Sequence, residues 1–330
     1  MIPSRSASLL AALALLSAAL EAQGSARALR VPAPRARGSF EIVSCSLGCA
    51  PGPMGLSCGI TEIHVNQEFR ITFNQPVDPA SVSDNSFRMV DVSSGRTPAA
   101  AFALDPLDPS TLIYRPQLTF DSGGNPVFGM LPDHTYFLHI PGTDQDPLGP
   151  YLTSVNGDAN RTRLVCTLIA SLGVADPVPG RPRAKLYVQA VIERDPVTGE
   201  PIELATVPAE GAVDVWRESP IRIVFADLMN PATLANPVTG QSSFIHVFFD
   251  PDGNVQNVSD QVPIPGSFTL TLDQNTYRTH VIFSAFNGLP ASGVQRQPGR
   301  VVVVLSAQIQ DLSANTLANP GRTTFTTETR

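Results

Sequence analysis

Residues 70–82 read RITFNQPVDPASV and residues 222–234 read RIVFADLMNPATL. From Arg70 and Arg222 onward the two stretches match without a gap as R-I-x-F-x-x-x-[VM]-[DN]-P-A-[ST]-[VL]. Their surroundings correspond as well. Upstream, EIHV (62–65) matches AVDV (212–215) with a two-residue length difference; downstream, NSFRMVD (85–91) corresponds to SSFIHVF (242–248). Late in each unit a strand-like run is followed by Asp and Leu, in FLHIPGTDQDPLG (137–149) and in VVVLSAQIQDLSANTL (302–317). Each unit then closes on a β-rich run, RLVCTLIA or TTFTT. Repetition at this depth implies internal duplication and two similar domains.

The phrase has a direct physical reading. In FRITF, Phe69, Ile71 and Phe73 face one way and Arg70 and Thr72 the other, as in a half-buried strand. Pro79 or Pro231 then removes a ladder donor, while Asp78 or Asn230 can cap the short helical turn begun by PASV or PATL. Phe73 and Phe225 are expected as core anchors, each worth about 2 kcal/mol of apolar burial. Similar short runs recur along the chain, among them SFRMVDV, TLIYRP, TYFLHI, SFTLTL and THVIFSA. They are punctuated by Gly, Pro, Asn and Asp, with turns expected at DSGGNP (121–126), DPVTGEP (195–201) and DPDGN (250–254). Helical periodicity is nearly absent, so the expected class is all-β, a pair of sandwiches.

Composition agrees. With 330 residues the chain can fill about two cores, and 42% apolar against 15% charged residues is the profile of packed structure rather than of disorder. The net charge of −7 and the scattered arginines leave no basic stripe for phosphates, which argues against a nucleic-acid partner. Arg5, the apolar run Leu9 to Leu20 and the small residues after it have the layout of a secretory signal peptide over residues 1–28, with small-x-small cleavage sites after Gly24 and after Ala28. The run is too short for a helix spanning about 30 Å of hydrocarbon, and no later segment approaches a transmembrane span. Four cysteines in an exported chain allow three disulfide pairings. Cys49 and Cys58 flank the Pro/Gly loop APGPMGLS and are the favoured pair; Cys45 with Cys166 then ties an N-terminal strand to RLVCTLIA, or these two remain buried thiols. Zinc is disfavoured by the cysteine spacing.

The pattern I-x-V, then RI-x-F-x-x-x-V-D-P-A-S-V, a later T-x-[YV]-x-L strand and a D-x-L-x-N turn resembles the bacterial Ig-like domains of surface-layer and other exported bacterial proteins. The resemblance covers residues 58–172 and 207–329. The first unit departs from it in having DPLG where a Gly-Asn pair is usual, and both units hold longer mid-domain insertions. It implies two tandem Ig-like sandwiches, a first domain over 38–172 including a Cys-containing strand and a second over 207–330. Between them, residues 173–206 are expected as a linker in which AKLYVQAVI and PIELATV form a hairpin behind the stiff Pro-rich piece ADPVPGRP.

No constellation in the sequence demands a reaction. GLSCG (55–59) matches the serine-hydrolase elbow formally, but a Pro/Gly loop precedes Ser57 and β sequence follows it. The five histidines are dispersed and form no metal triad. Asp250, Asp252 and Asn254 are calcium candidates, although Val255 and Gln261 stand where an EF-hand loop needs Gly and a bidentate acid. Asp144, Asp146 and Asp158 are open to the same reading. Trp216, between Val215 and Arg217, is expected at the domain junction or as a sugar-stacking platform. The expected function is a non-catalytic, exported structural or adhesive module at the cell surface, outside the cell or in the periplasm, with an envelope protein or polysaccharide as partner and no required cofactor. The alternative is an accessory glycan- or calcium-binding module of a secreted carbohydrate-active or proteolytic system. No C-terminal sorting signal is apparent in the sequence.

Overall fold

The computed structural model describes residues 38–329 apart from 124, 237 and 293–298. The expected signal peptide, residues 1–28, lies outside the described residues. Eleven strands precede Leu172: β1 (Ile42–Cys45), β2 (Ala50–Gly52), β3 (Gly55–Glu62), β4 (Phe69–Phe73), β5 (Arg88–Asp91), β6 (Ala100–Leu104), β7 (Thr111–Pro116), β8 (Leu118–Phe120), β9 (Pro126–Phe128), β10 (Thr135–Ile140) and β11 (Leu164–Ile169). Nine follow: β12 (Ala184–Arg194), β13 (Pro201–Pro208), β14 (Ile221–Phe225), β15 (Ile245–Asp250), β16 (Val262–Pro263), β17 (Gly266–Asp273), β18 (Arg278–Ala285), β19 (Arg300–Leu305) and β20 (Gly321–Phe325).

The strands form two sandwiches with separate cores. In the first, a sheet of order β1-β4-β7-β6 faces one of order β2-β3-β11-β10-β5. Phe69, Ile71 and Phe73 from one sheet and Met89, Tyr136, Leu138, Leu164 and Leu168 from the other fill the same core. In the second, β13-β12-β14-β18-β17 faces β16-β15-β19-β20 around Ile221, Ile223, Phe225, Val281, Val301, Val303 and Phe325. The repeated phrase builds equivalent parts. Asp78 and Asn230 accept hydrogen bonds from the N–H of Ala80 and Ala232 (3.0 and 3.1 Å), starting the single 3₁₀ turns Pro79–Ser81 and Pro231–Thr233. The side-chain oxygen satisfies a turn-end donor and proline sits where no donor is needed, as the sequence suggests.

The hairpin expected as a linker belongs to the second sandwich. β12 pairs with β14 from Ala184–Phe225 to Tyr187–Arg222, just as β1 pairs with β4, so it is the opening strand of its sandwich. Its Ala184, Leu186 and Val188 alternate inward and bury apolar area that a free hairpin would leave in water. The connector is therefore only the Pro-rich segment ending before β12. It is held at both ends: Asn66 exchanges two hydrogen bonds with the Ala175 backbone (2.7 and 2.8 Å), and Arg181 donates to the carbonyls of Thr316 (3.0 Å) and Leu317 (2.6 Å).

Three details of the internal alignment also change. Ile63 and Val215, both fully buried, donate to the carbonyls of Ile169, which ends β11, and of Thr326, which follows β20, and stand equally far ahead of the repeated Arg, which removes the two-residue length difference. Inward-facing Phe87 and Met89 match Ile245 and Val247, one residue off the sequence correspondence, because a one-residue slip turns every side chain to the wrong face. The counterpart of Asp311 to Asn315 is Ser154 to Asp158, not the DPLG segment: Val77 bridges Ser154 as Met229 bridges Asp311, and Ser154 and Asp311 accept and donate the same turn hydrogen bonds. DPLG lies in an insertion after β10.

The cysteines pair as Cys45–Cys49 and Cys58–Cys166, in place of the expected Cys49–Cys58 and Cys45–Cys166. β3 runs parallel to β11 with a register shift between Val165 and Thr167, so Cys58 and Gly59 together oppose Cys166 and the Cα atoms of Cys58 and Cys166 come within 5.0 Å. Cys45 ends β1, and the turn through Gly48, at φ +75°, brings Cys49 back to it. Cys49 and Cys58 are still neighbours, with sulfurs 3.7 Å apart. No helix among the described residues is long and apolar enough to cross a membrane.

Candidate cation sites

The turn after β14 is fixed from within. Thr279, fully buried on β18, donates its hydroxyl to the Asp227 carbonyl (2.8 Å) and accepts the Met229 N–H (2.8 Å). This locks Asp227 inside the protein with 1% of its surface exposed. Asp227 Oδ1 accepts its neighbour's N–H at Leu228 (2.7 Å), whereas Oδ2 is buried without a hydrogen-bond partner. Asp311 arrives beside it because its backbone bridges Met229, and it is 2% exposed. Asp176 comes from the connector. One carboxylate oxygen from each of the three lies within 4.8 Å of the others. Asn315 Nδ2 donates to Asp311 Oδ2 (2.9 Å) and Asp176 Oδ2 (3.1 Å). Burial pushes the Asp227 carboxyl up to about 7; the Leu228 N–H opposes this, and the charges of Asp311 and Asp176 add to it.

A second acidic group gathers at the end of β15. Asp250, fully buried, joins Asp252 and Asp260 within the same separation. Asp250 Oδ1 and Asp260 Oδ1 are buried without partners, while Asp250 Oδ2 takes a long contact from Gln261 Nε2 (3.4 Å). Burial raises the Asp250 carboxyl, and the Asn254 N–H donating to Asp252 Oδ1 (2.7 Å) holds Asp252 down. The set differs from the expected one. Asn254 turns its side-chain oxygen to the Gln256 N–H (3.3 Å), and Asp260 stands in its place.

The other candidates are engaged elsewhere. Asp144 pairs with Arg161 (3.1 Å), and Asp146 lies between His139 (3.5 Å) and Arg163 (3.7 Å). Asp158 is the exception: its backbone belongs to the turn that answers Asp311–Asn315 and its Oδ2 is buried without a partner, but it joins no group of three acids among the described residues. Trp216 lines a groove of about 660 Å³ with Arg194, Glu218, Phe286 and Glu328, at the start of β14 rather than at the Asp227 end that meets the connector. Ser57 sits within β3, opposite Val165, and accepts the Gly59 N–H (3.1 Å), so the strained strand-to-helix turn of a hydrolase is absent there.

Ser93, His134 and Asp91 do come together. Both Asp91 Oδ2 (2.8 Å) and Ser93 Oγ (3.4 Å) address the same ring nitrogen, Nδ1, and the Ser93 hydroxyl donates to Asp91 Oδ1 (2.7 Å). A catalytic triad needs the hydroxyl and the acid on opposite nitrogens, so this is a structural lock. The described residues hold no active-site geometry.

Asp176, Asp227 and Asp311 escape the sequence reading because they come from separate stretches; Asp260 lies in the same run as Asp250 and Asp252, one residue short of the position where an EF-hand loop would place its acid. One signal was available for Asp227: it stands where the first copy has Gln75 in the ungapped repeat, whereas the match of Asp311 to Ser154 emerges only from the bridges of Met229 and Val77.

No protein-family model matches the chain, and no curated protein matches it. Among solved structures, the N-terminal part of the bacterial S-layer protein SbsC is similar with 12% identity and a TM-score of 0.27, covering 87% of this chain and 44% of its own. Domains 1-6 of surface layer protein SbsC are similar with 9% identity and a TM-score of 0.25, over 88% and 54%. Rst D1-D2 is similar with 8% identity and a TM-score of 0.19, over 86% and 98%. The chain thus spans only 44% and 54% of the two SbsC structures. Likenesses this distant carry no weight for the architecture, which rests on strand order and burial.

Proposed function

We propose that the protein is an exported, non-catalytic spacer of two Ig-like sandwiches, held at or outside the cell surface against an envelope protein or polysaccharide. The strand order supports the Ig-like reading. β1-β4-β7-β6 and β11-β10-β5 follow the A-B-E-D and G-F-C orders of the constant-type immunoglobulin sandwich, with β3 added parallel to the last strand; the second sandwich keeps the same two orders as β12-β14-β18-β17 and β20-β19-β15, with β13 added beside β12, β16 beside β15, and the parallel addition reduced to a bridge between Val215 and Thr327. The disulfide from β3 to β11 departs from the inter-sheet bridge of antibody domains.

The observation that carries the spacer reading is the doubly pinned connector together with a second contact between the sandwiches. Gln274, in the β17–β18 turn, donates to the Pro116 carbonyl (2.6 Å) and accepts the Leu118 N–H (3.0 Å), and Arg115 donates to Asn275 Oδ1 (2.9 Å). A module whose task is to hold a distance needs such fixed geometry more than it needs a pocket. Cell fractionation followed by crosslinking tests the proposal: recovery in the envelope or medium, crosslinked to an envelope component, is expected. Recovery in the cytosol would end it.

The reading of an accessory calcium-binding module is favoured by the two unpartnered buried oxygens of Asp250 and Asp260. A cation there would replace the missing hydrogen bonds. Calcium binding that is diminished by Asp252→Asn is the expected result, and binding unchanged by that substitution counts against it.

A further inference from the structure

We propose that Asp176, Asp227 and Asp311 form a calcium site that fastens the connector to the second sandwich. The proposal is independent of the envelope assignment and of the Asp250 group.

Three observations lead to it. The donors are oxygens only, with no histidine or cysteine among them, which selects a hard cation over zinc or copper. Their mutual separation, within 4.8 Å, suits an ion whose oxygen ligands sit at about 2.3–2.6 Å and hence up to about 5 Å apart across it. Asp227 supplies what an acidic cluster alone does not: a side chain almost wholly removed from water, grouped with two further carboxylates, in which one oxygen, Oδ2, is bonded to nothing. Leaving such a carboxylate unpaired is costly, and neither the Leu228 N–H nor the Asn315 amide reaches Oδ2. A divalent ion neutralises most of the three charges. A half-turn of the Asn315 amide then replaces its two N–H contacts with Oδ1 as a further ligand.

Position gives the site its consequence. Asp176 lies in the connector, Asp227 follows β14, and Asp311 precedes Leu312, which packs against the core of the first sandwich. An ion held by all three joins the connector, the second sandwich and the turn that touches the first. Calcium would thereby stiffen the junction on which a spacer depends.

The test uses the full chain stripped with EDTA and dialysed. CaCl₂ is titrated by calorimetry and by thermal melting, with MgCl₂ as competitor, on the wild type and on Asp176→Asn, Asp227→Asn and Asp252→Asn. The wild type is expected to bind calcium and melt higher with it, because a ligand bound only by the folded state must raise the midpoint. Asp227→Asn is expected to melt higher than the wild type in EDTA, since the amide removes a buried charge, and to bind one calcium fewer. Asp176→Asn, a change in the connector, weakens the same site at least tenfold without unfolding the protein. Asp252→Asn leaves the junction site intact. Absence of calcium binding at millimolar concentration, displacement by equimolar MgCl₂, or wild-type calcium stoichiometry in Asp227→Asn would each overturn the proposal.

Discussion

Phe73 and Phe225 stand at the same point in the two sandwiches. Each closes the strand carrying the repeated phrase and pairs with the opening strand of its sandwich, Phe73 with Ile42 and Phe225 with Ala184. Exposure is 2% and 0%. Phe73 also stacks on Phe40 with ring centroids 4.7 Å apart. Replacing either by alanine is expected to cost about 3–5 kcal/mol, through lost transfer energy plus the cavity left behind. Denaturant unfolding measures this; a loss below about 1 kcal/mol at either site would contradict the shared anchoring role.

The disulfides are expected to differ in weight. Cys58–Cys166 closes a loop of sequence separation 108, whereas Cys45–Cys49 spans a separation of 4. In the chain-entropy account the longer loop constrains the unfolded state far more, so Cys58→Ala/Cys166→Ala should cost about 2–4 kcal/mol and Cys45→Ala/Cys49→Ala clearly less. Peptide mapping without reduction should return these two pairs; a Cys49–Cys58 peptide would refute the assignment.

Asp91 ties acid stability to one lock. Hydrogen bonds from Ser93, then His134 and Ser94, hold its carboxyl far below the usual range despite opposing burial. A carboxyl whose folded value is depressed stabilises the protein above its unfolded value and loses that contribution as pH falls toward the folded one. Asp91→Asn is therefore expected to lower the melting temperature at pH 7 and to flatten the fall in stability below about pH 4. Parallel melting curves for variant and wild type from pH 7 to pH 2 would show that the lock does not set the acid limb.

Gln274 tests the junction without touching a core. Gln274→Ala removes both hydrogen bonds to the first sandwich, each worth about 0.5–1.5 kcal/mol. Unfolding of either sandwich should change little, while spin labels placed one per sandwich report a broader distance distribution. An unchanged distribution would mean that the Gln274 hydrogen bonds do not set the geometry.

The sequence by itself determined the longer alternating strands, the all-β class, the turn at each Pro-Ala and the repeated phrase that opens on Arg70 and Arg222. Those features live in alternation and capping within a few residues, as in Phe69 to Phe73 and in Asp78 and Asn230, where neighbours in the chain are neighbours in space. Tertiary structure alone decided that the β12–β13 hairpin opens the second sandwich, that Cys58 rather than Cys45 meets Cys166, and that Asp227, Asp311 and Asp176 converge. Each of these depends on which distant strand lies alongside and in what register, a choice made by burial of whole faces and by a single bulge opposite Cys166. Residue spacing along the chain does not encode that choice.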